Sequence, residues 1–183
     1  MSHKEFIQSL VEILVQQGSL PATAVGGDLL NDFKGESKAE FDDFLLSESL
    51  ISKADLLLAL SKYYQVPPFD AQGYLFDHEL LVNFPKAFML TNCFIPIQIE
   101  GNILTVVASE PTDELCAIIG EHESYVVELR VGLQREIIDA IEEFYDPSLT
   151  NIEDLTDDDE AELYLDDEYL EELDNLEPED DIR

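Results

Sequence analysis

The 183-residue chain carries 42 Asp and Glu against 9 Lys and Arg, a formal net charge of −33, and is 45% apolar. A charge of that sign and size repels nucleic-acid backbones and anionic lipid headgroups, which excludes them as partners and leaves basic proteins and cations. The length and apolar content allow one ordinary domain, or two small ones, with a real core and a tail.

The charge is unevenly placed. Residues 1–145 hold 24 acids and 8 bases, whereas residues 146–183 hold 18 acids and a single base, Arg183. Phe6 to Gln17 has apolar residues at helical spacing, and Gly18 is a stop signal. Leu20 to Ala24 can open a second helix, which Gly26-Gly27 weakens, and Lys34 to Ser37 breaks the apolar face. Glu40 to Ser47 repeats the character of the first helix. Ser52-Lys53-Ala54-Asp55 is a helix start with an Asp three residues after the Ser, and it leads into Leu56, Leu57, Ala59, Leu60 and Tyr63. Gln65 to Asp70, with Pro67-Pro68, reads as extended.

Short helices are expected around Asp77 to Leu81 and from Phe84 to Leu90, with Pro85 in the first turn of the latter. The strongest strand signal comes next. Phe94 to Ile99 and Ile103 to Ala108 are β-branched runs flanking Gly101-Asn102, the pattern of a β-hairpin. Pro96 has no N–H, which places its strand at an edge or kinks it. Asp113 to Glu121 reads as a helix, Tyr125 to Val131 as a strand and Gln134 to Tyr145 as a last helix. The fold expectation is α+β: a helical N-terminal half, then a small α/β sandwich (hairpin, helix, strand, helix), then an acidic, mostly disordered tail. The corresponding divisions are 1–70, 71–146 and 147–183.

The tail is too acidic to bury apolar surface in proportion to its ordering entropy. Within it, however, Leu163, Tyr164, Tyr169, Leu170 and Leu173 recur at helical steps between acids, a pattern that suits an amphipathic segment folding onto a partner. The N-terminus, MSHKEFIQSL, has no apolar signal region, and no run reaches the ~18–20 residues of a membrane span. Cys93 and Cys116 form no CxxC pair and read as free, buried thiols, Cys93 in a hairpin strand. A cytoplasmic protein without direct membrane insertion is expected.

Catalytic and cofactor signals are missing. There is no phosphate-cradling glycine loop. His3, His78 and His122 have no partner at metal-ligand spacing. Asp157 to Glu160 lacks the glycine and spacing of a calcium loop. No catalytic residue, cofactor or metal ligand is assigned, and an enzyme is not expected.

One resemblance emerges from the order of several weak signals. They are Leu50-Ile51-Ser52 with Leu56, Ala59 and Leu60; Tyr64-Gln65-Val66-Pro67; Leu80-Leu81 with Phe84-Pro85; Ile95-Pro96-Ile97; Leu104 through Asp113; and Ile137 to Ile141 with Tyr145. Together these resemble the N-terminal domain of the assembly ATPases of type II secretion systems and type IV pili, over about residues 6–146. The resemblance implies a non-catalytic module that docks on a protein partner, such as a secretion or pilus platform component, with the motor absent because the acidic tail stands where the ATPase core would begin. Some members of that family bind cyclic di-GMP through a tandem motif that begins Arg-Leu-Gly and runs on to Gly-Leu-Ile. The spacing fits two copies here. The first contains Ser9, Val11 and Gly18, the second Glu40, Asp42 and Ser49. Ser9 and Glu40 stand where arginines would hold the ligand, and Val11 and Asp42 where glycines would admit it, so the nucleotide site is expected to be degenerate. Two alternatives remain open: a sensor of a cyclic di-GMP-like nucleotide, and an acidic-tail chaperone or mimic that captures basic partners.

Overall fold

The structure is a computed structural model that describes residues 3–122 and 124–146. The expected tail at 147–183, with Leu163, Tyr164, Tyr169, Leu170 and Leu173, lies outside the described residues. The chain divides into a compact unit, Met1–Glu142, and a second unit, Glu143–Arg183. Among the described residues of the second, Phe144 and Tyr145 meet edge to face at 4.8 Å.

Helix α1 (His3–Gln16) buries Phe6, Ile7, Leu10, Val11 and Leu14, a stripe at three- and four-residue steps. It ends where Gly18 takes a positive φ of 83°. The Gly18 N–H then donates to the Val15 carbonyl at 3.0 Å, and the Ser19 N–H to the Leu14 carbonyl at 2.9 Å. This paired closure satisfies carbonyls that a helix end would otherwise leave open. Where the sequence suggests a second full helix, the chain makes a 3₁₀ turn over Ala22–Gly26 and a single short helix α2 (Asp28–Asp32), because Gly27 sits at φ 106° between them.

Helix α3 (Lys38–Ser47) starts two residues earlier than the sequence pattern implies. Ser37 is its N-cap: the Glu40 N–H donates to the Ser37 hydroxyl, and the Glu40 carboxylate accepts from the Ser37 N–H at 2.9 Å. Such a reciprocal cap contributes about 1 kcal/mol. Helix α4 (Lys53–Tyr64) begins under Ser52 and closes on Gln65 in the left-handed conformation. Helices α1, α3 and α4 share one core, in which Leu10, Leu14, Phe41, Leu45, Leu56 and Leu60 are almost inaccessible. Each fully buried side chain of this size contributes roughly 1.5–3 kcal/mol.

Short helices α5 (His78–Leu81) and α6 (Lys86–Asn92) precede the sheet. Strand β1 (Phe94–Glu100) pairs antiparallel with β2 (Ile103–Ala108) through the Gly101-Asn102 turn. The register shifts between Pro96 and Gln98, and β1 is an edge strand, in line with the missing N–H of Pro96. Helix α7 (Asp113–His122) crosses to β3 (Val126–Val131), which lies parallel to β2, and α8 (Gln134–Phe144) comes last. The extended segment before α5 joins the sheet at its far end: the Phe69 N–H donates to the Val131 carbonyl at 2.8 Å, and the Val131 N–H to the Pro67 carbonyl at 2.9 Å. The α+β architecture read from the sequence is therefore present. Val131 and Leu133 also enter the helical core, tying the two halves together.

Cys93 departs from its expected place. It is the left-handed C-cap of α6 at φ 45°, one residue outside β1, and is half-buried. Cys116 is also a half-buried free thiol, on α7.

Candidate functional site

The two motif copies are repeats in three dimensions. Gly18 and Ser49 lie 31 positions apart and end α1 and α3 in the same way. The Ser49 N–H donates to the Leu46 carbonyl, and the Leu50 N–H to the Leu45 carbonyl, both at 3.0 Å, with Ser49 at φ 53°. The same offset places Leu45 on Leu14, Asp42 on Val11 and Lys38 on Ile7. In the first copy those positions are apolar core. In the second, Lys38 and Asp42 occupy them, and they are buried all the same.

The other motif positions do not converge on them. Ser9 is half-buried on α1, Val11 is in the core, and Gly18 and Ser49 are exposed at their helix ends. Glu40 is exposed and committed to its cap: its carboxylate accepts from the Ser37 and Glu36 N–H groups at 2.9 and 2.8 Å. Hydrogen bonds from the Ser37 and then the Glu36 backbone hold its pKa below the ordinary glutamate value. The structure therefore brings Asp42 alone of these six into an enclosed site.

Lys38 is the polar centre of the second copy. Its ammonium donates to the Tyr64 hydroxyl and, at 2.8 Å, to the Ser109 carbonyl just beyond β2. It also lies 4.6 Å from the Phe6 ring centroid and 4.5 Å from that of Tyr64. Two acceptors and two aromatic faces make its burial tolerable. Desolvation lowers its pKa, against the attraction of Glu110 and Asp42. Tyr64 is pushed up by burial. Asp42, only 6% exposed, is pushed up to about 7 by burial, which outweighs the attraction of Lys38.

A cavity of about 350 Å³ opens between α3 and the start of α8, within the ~300–1,000 Å³ range of ligand pockets. Ala39, Leu46 and Leu133 form apolar wall, and Asp42, Asp43, Arg135 and Glu136 supply charge. Asp42 Oδ1 and Glu136 Oε2, on two of the lining residues, are buried without hydrogen-bond partners. The other Glu136 oxygen accepts from the Lys53 ammonium at 2.9 Å, which also donates to Asp70 and Gln72 at 2.8 Å each. Burial acts to lower the Lys53 pKa, but the hydrogen bonds to Asp70 and Glu136 outweigh it and raise the value; the same bond from Lys53 lowers that of Asp70.

Motif matching by itself does not single out Lys38, Lys53 or Glu136. A signal for the first is present: aligning the two copies places Lys38 and Asp42 on Ile7 and Val11 of the first core stripe. Lys53 and Glu136 are 83 positions apart, and only the fold joins them.

Burial pushes the Cys93 and Cys116 thiols up, away from the reactive thiolate. No group of three or more His, Cys, Asp or Glu side chains that could hold a metal ion occurs among the described residues. His122 instead stacks near Phe88 and Phe84, with ring centroids 4.7 and 5.7 Å away. No helix among the described residues is long and apolar enough to cross a membrane.

A helical repeat leading into a small mixed sheet defines a fold shared with two solved structures. One is MshE with cdg, at 20% identity and a TM-score of 0.57, covering 74% of this chain and 98% of that one. The other is the N-terminal domain of XpsE, at 21% identity and a TM-score of 0.50, covering 80% of this chain and 98% of that one. No curated protein matches the sequence. Residues 64–151 match the family model of the MshEN domain. The resemblance to the N-terminal domains of secretion and pilus ATPases therefore holds.

Proposed function

We propose that this chain is a non-catalytic protein-interaction module that presents its helical half to a partner protein in a secretion- or pilus-type assembly on the cytoplasmic side. In this reading residues 1–70 dock, residues 71–146 are scaffold, and residues 147–183 are an acidic tail that favours basic partners. The observation that carries the reading is Asp42. A buried aspartate stands where the resemblance calls for a glycine, with one side-chain oxygen buried and unpartnered. Above about pH 7, where Asp42 ionises, a phosphate group brought beside it would meet like charge at low dielectric. Neither copy supplies an arginine in compensation, since Ser9 and Glu40 occupy those positions.

The test is crosslinking and co-purification of the full chain from native cells. A specific protein partner is expected, with its crosslinks concentrated on α1 to α4. Recovery of the chain alone, at near-physiological salt, would sink the reading.

The second reading, a nucleotide sensor, is favoured by the shared fold with MshE, whose structure is with cdg. It requires ligand contacts from other residues than the six motif positions.

A further inference from the structure

We infer that residues 69–77, the turn that leads into α5, are an apolar anchor for a partner protein. Leu75 inserts into an apolar socket on that partner, and lysine or arginine rims the socket. Leu75 is 94% exposed, the most exposed large apolar side chain among the described residues. Its neighbour Tyr74 is 40% exposed, and Phe76 on the other side is half-buried. A lone apolar side chain on a surface is ordinary, but a leucine in open water between two aromatic residues is a patch that a partner can cover.

The backbone that carries Leu75 is held on both sides. The Tyr74 N–H donates to the Ala71 carbonyl at 3.3 Å, and Gly73 supplies the positive φ, 71°, that closes this turn. Ala71 is buried. The rings of Phe69, Tyr74 and Phe76 meet edge to face in series, with centroids 5.1 and 4.8 Å apart. Lys53 of α4 donates to Asp70 and to Gln72 at 2.8 Å each, which fastens the base of the turn to the helical half. A side chain presented on ordered backbone loses little freedom on docking. Charge selects the occupant. Residues 63–85 carry Asp70, Asp77 and Glu79, all exposed, and no Lys or Arg. A second copy of the chain, at a net charge of −33, would bring like charge to this rim, and an anionic lipid surface would be repelled as well. A socket rimmed by basic side chains is attracted to it.

The inference rests on the interaction-module reading for the existence of a partner, and adds an anchor at the border of the docking half. The probe is a photoactivatable diazirine amino acid in place of Leu75, in the full 183-residue chain in native cells, with the adducts mapped by mass spectrometry. The expected adduct joins position 75 to apolar residues of one protein, with Lys or Arg flanking them, and its yield falls as salt is raised. Leu75→Asp is expected to reduce co-purification of that protein about tenfold or more. Val126→Asp, at another exposed apolar position (57%), is expected to leave it unchanged. Both variants should keep the urea midpoint of the parent chain, since neither side chain is buried, and the adduct map does not depend on either. Adducts only to a second copy, to residues 147–183, to lipid or to a surface without basic residues would each overturn the inference, as would no adduct at all. A partner that co-purifies undiminished with Leu75→Asp would leave the interaction-module reading standing and remove the anchor. The expected adduct at position 75, with no crosslinks on α1 to α4, would keep the anchor and remove docking by the helical half.

Discussion

The two helical repeats share a backbone and differ in what they bury. Both α1 and α3 close through the same pair of hydrogen bonds onto a left-handed residue, Gly18 in the first and Ser49 in the second. The first fills its core positions with Ile7 and Val11, the second with Lys38 and Asp42. The segments just beyond these closures diverge too. Pro21 offers no side-chain cap and leads into a 3₁₀ turn with Val25 exposed, whereas Ser52 caps the twelve-residue α4 with Leu56 fully buried. A repeat can thus keep its geometry through its end signals and apolar anchors while one copy is free to carry polar cargo. The first copy buries only apolar side chains at these positions, and the second buries a lysine and an aspartate.

The largest effects should be common to both copies. Leu14→Ala and Leu45→Ala remove equivalent, fully buried anchors. Each is expected to cost about 2–5 kcal/mol in urea unfolding. A much smaller cost for one would show that the copies do not share a core in the way their burial indicates.

The next test separates the copies. The folded-state pKa of Asp42 lies above its unfolded value, so the folded chain binds more protons. Its contribution to stability is fully present below the ordinary aspartate range and is lost as pH rises from about 4 to about 7. Asp42→Asn should be more stable than the parent at pH 8, by roughly 1–3 kcal/mol, and lose that advantage by about pH 4. Urea titrations at several pH values read this directly. The equivalent change at Val11, to Ala, should leave the pH profile unaltered and lower stability throughout.

Smaller effects sharpen the end signals. Ser37→Ala removes the N-cap peculiar to α3 and should cost about 1 kcal/mol. Ser49→Gly should stabilise by roughly 0.5–1 kcal/mol, because Ser49 holds a positive φ that glycine adopts without penalty, and Gly18→Ser should lose a similar amount.

The hairpin is the most legible part of the sequence. Its β-branched runs, the Gly101-Asn102 turn and the edge position of Pro96 rest on local chemistry, and the structure keeps all three. Helix starts are less legible: Ser37 and Glu40 form a reciprocal cap, yet the run Lys34 to Ser37 has the composition of a break. The candidate site is half visible. Asp42 stands out by its motif position, but its burial depends on surroundings a sequence pattern does not display. Lys38 looks like any surface lysine, because its partners Tyr64 and Ser109 are 26 and 71 positions away. Glu136 similarly joins Asp42 only because α8 begins beside α3.

Equilibrium dialysis of the full chain against cyclic di-GMP most directly tests whether the second copy's acidic replacement has closed the nucleotide site. No saturable binding is expected up to millimolar nucleotide, in the parent chain or in Asp42→Asn. Saturable micromolar binding by the parent chain would mean that the site remains open despite Glu40 and Asp42.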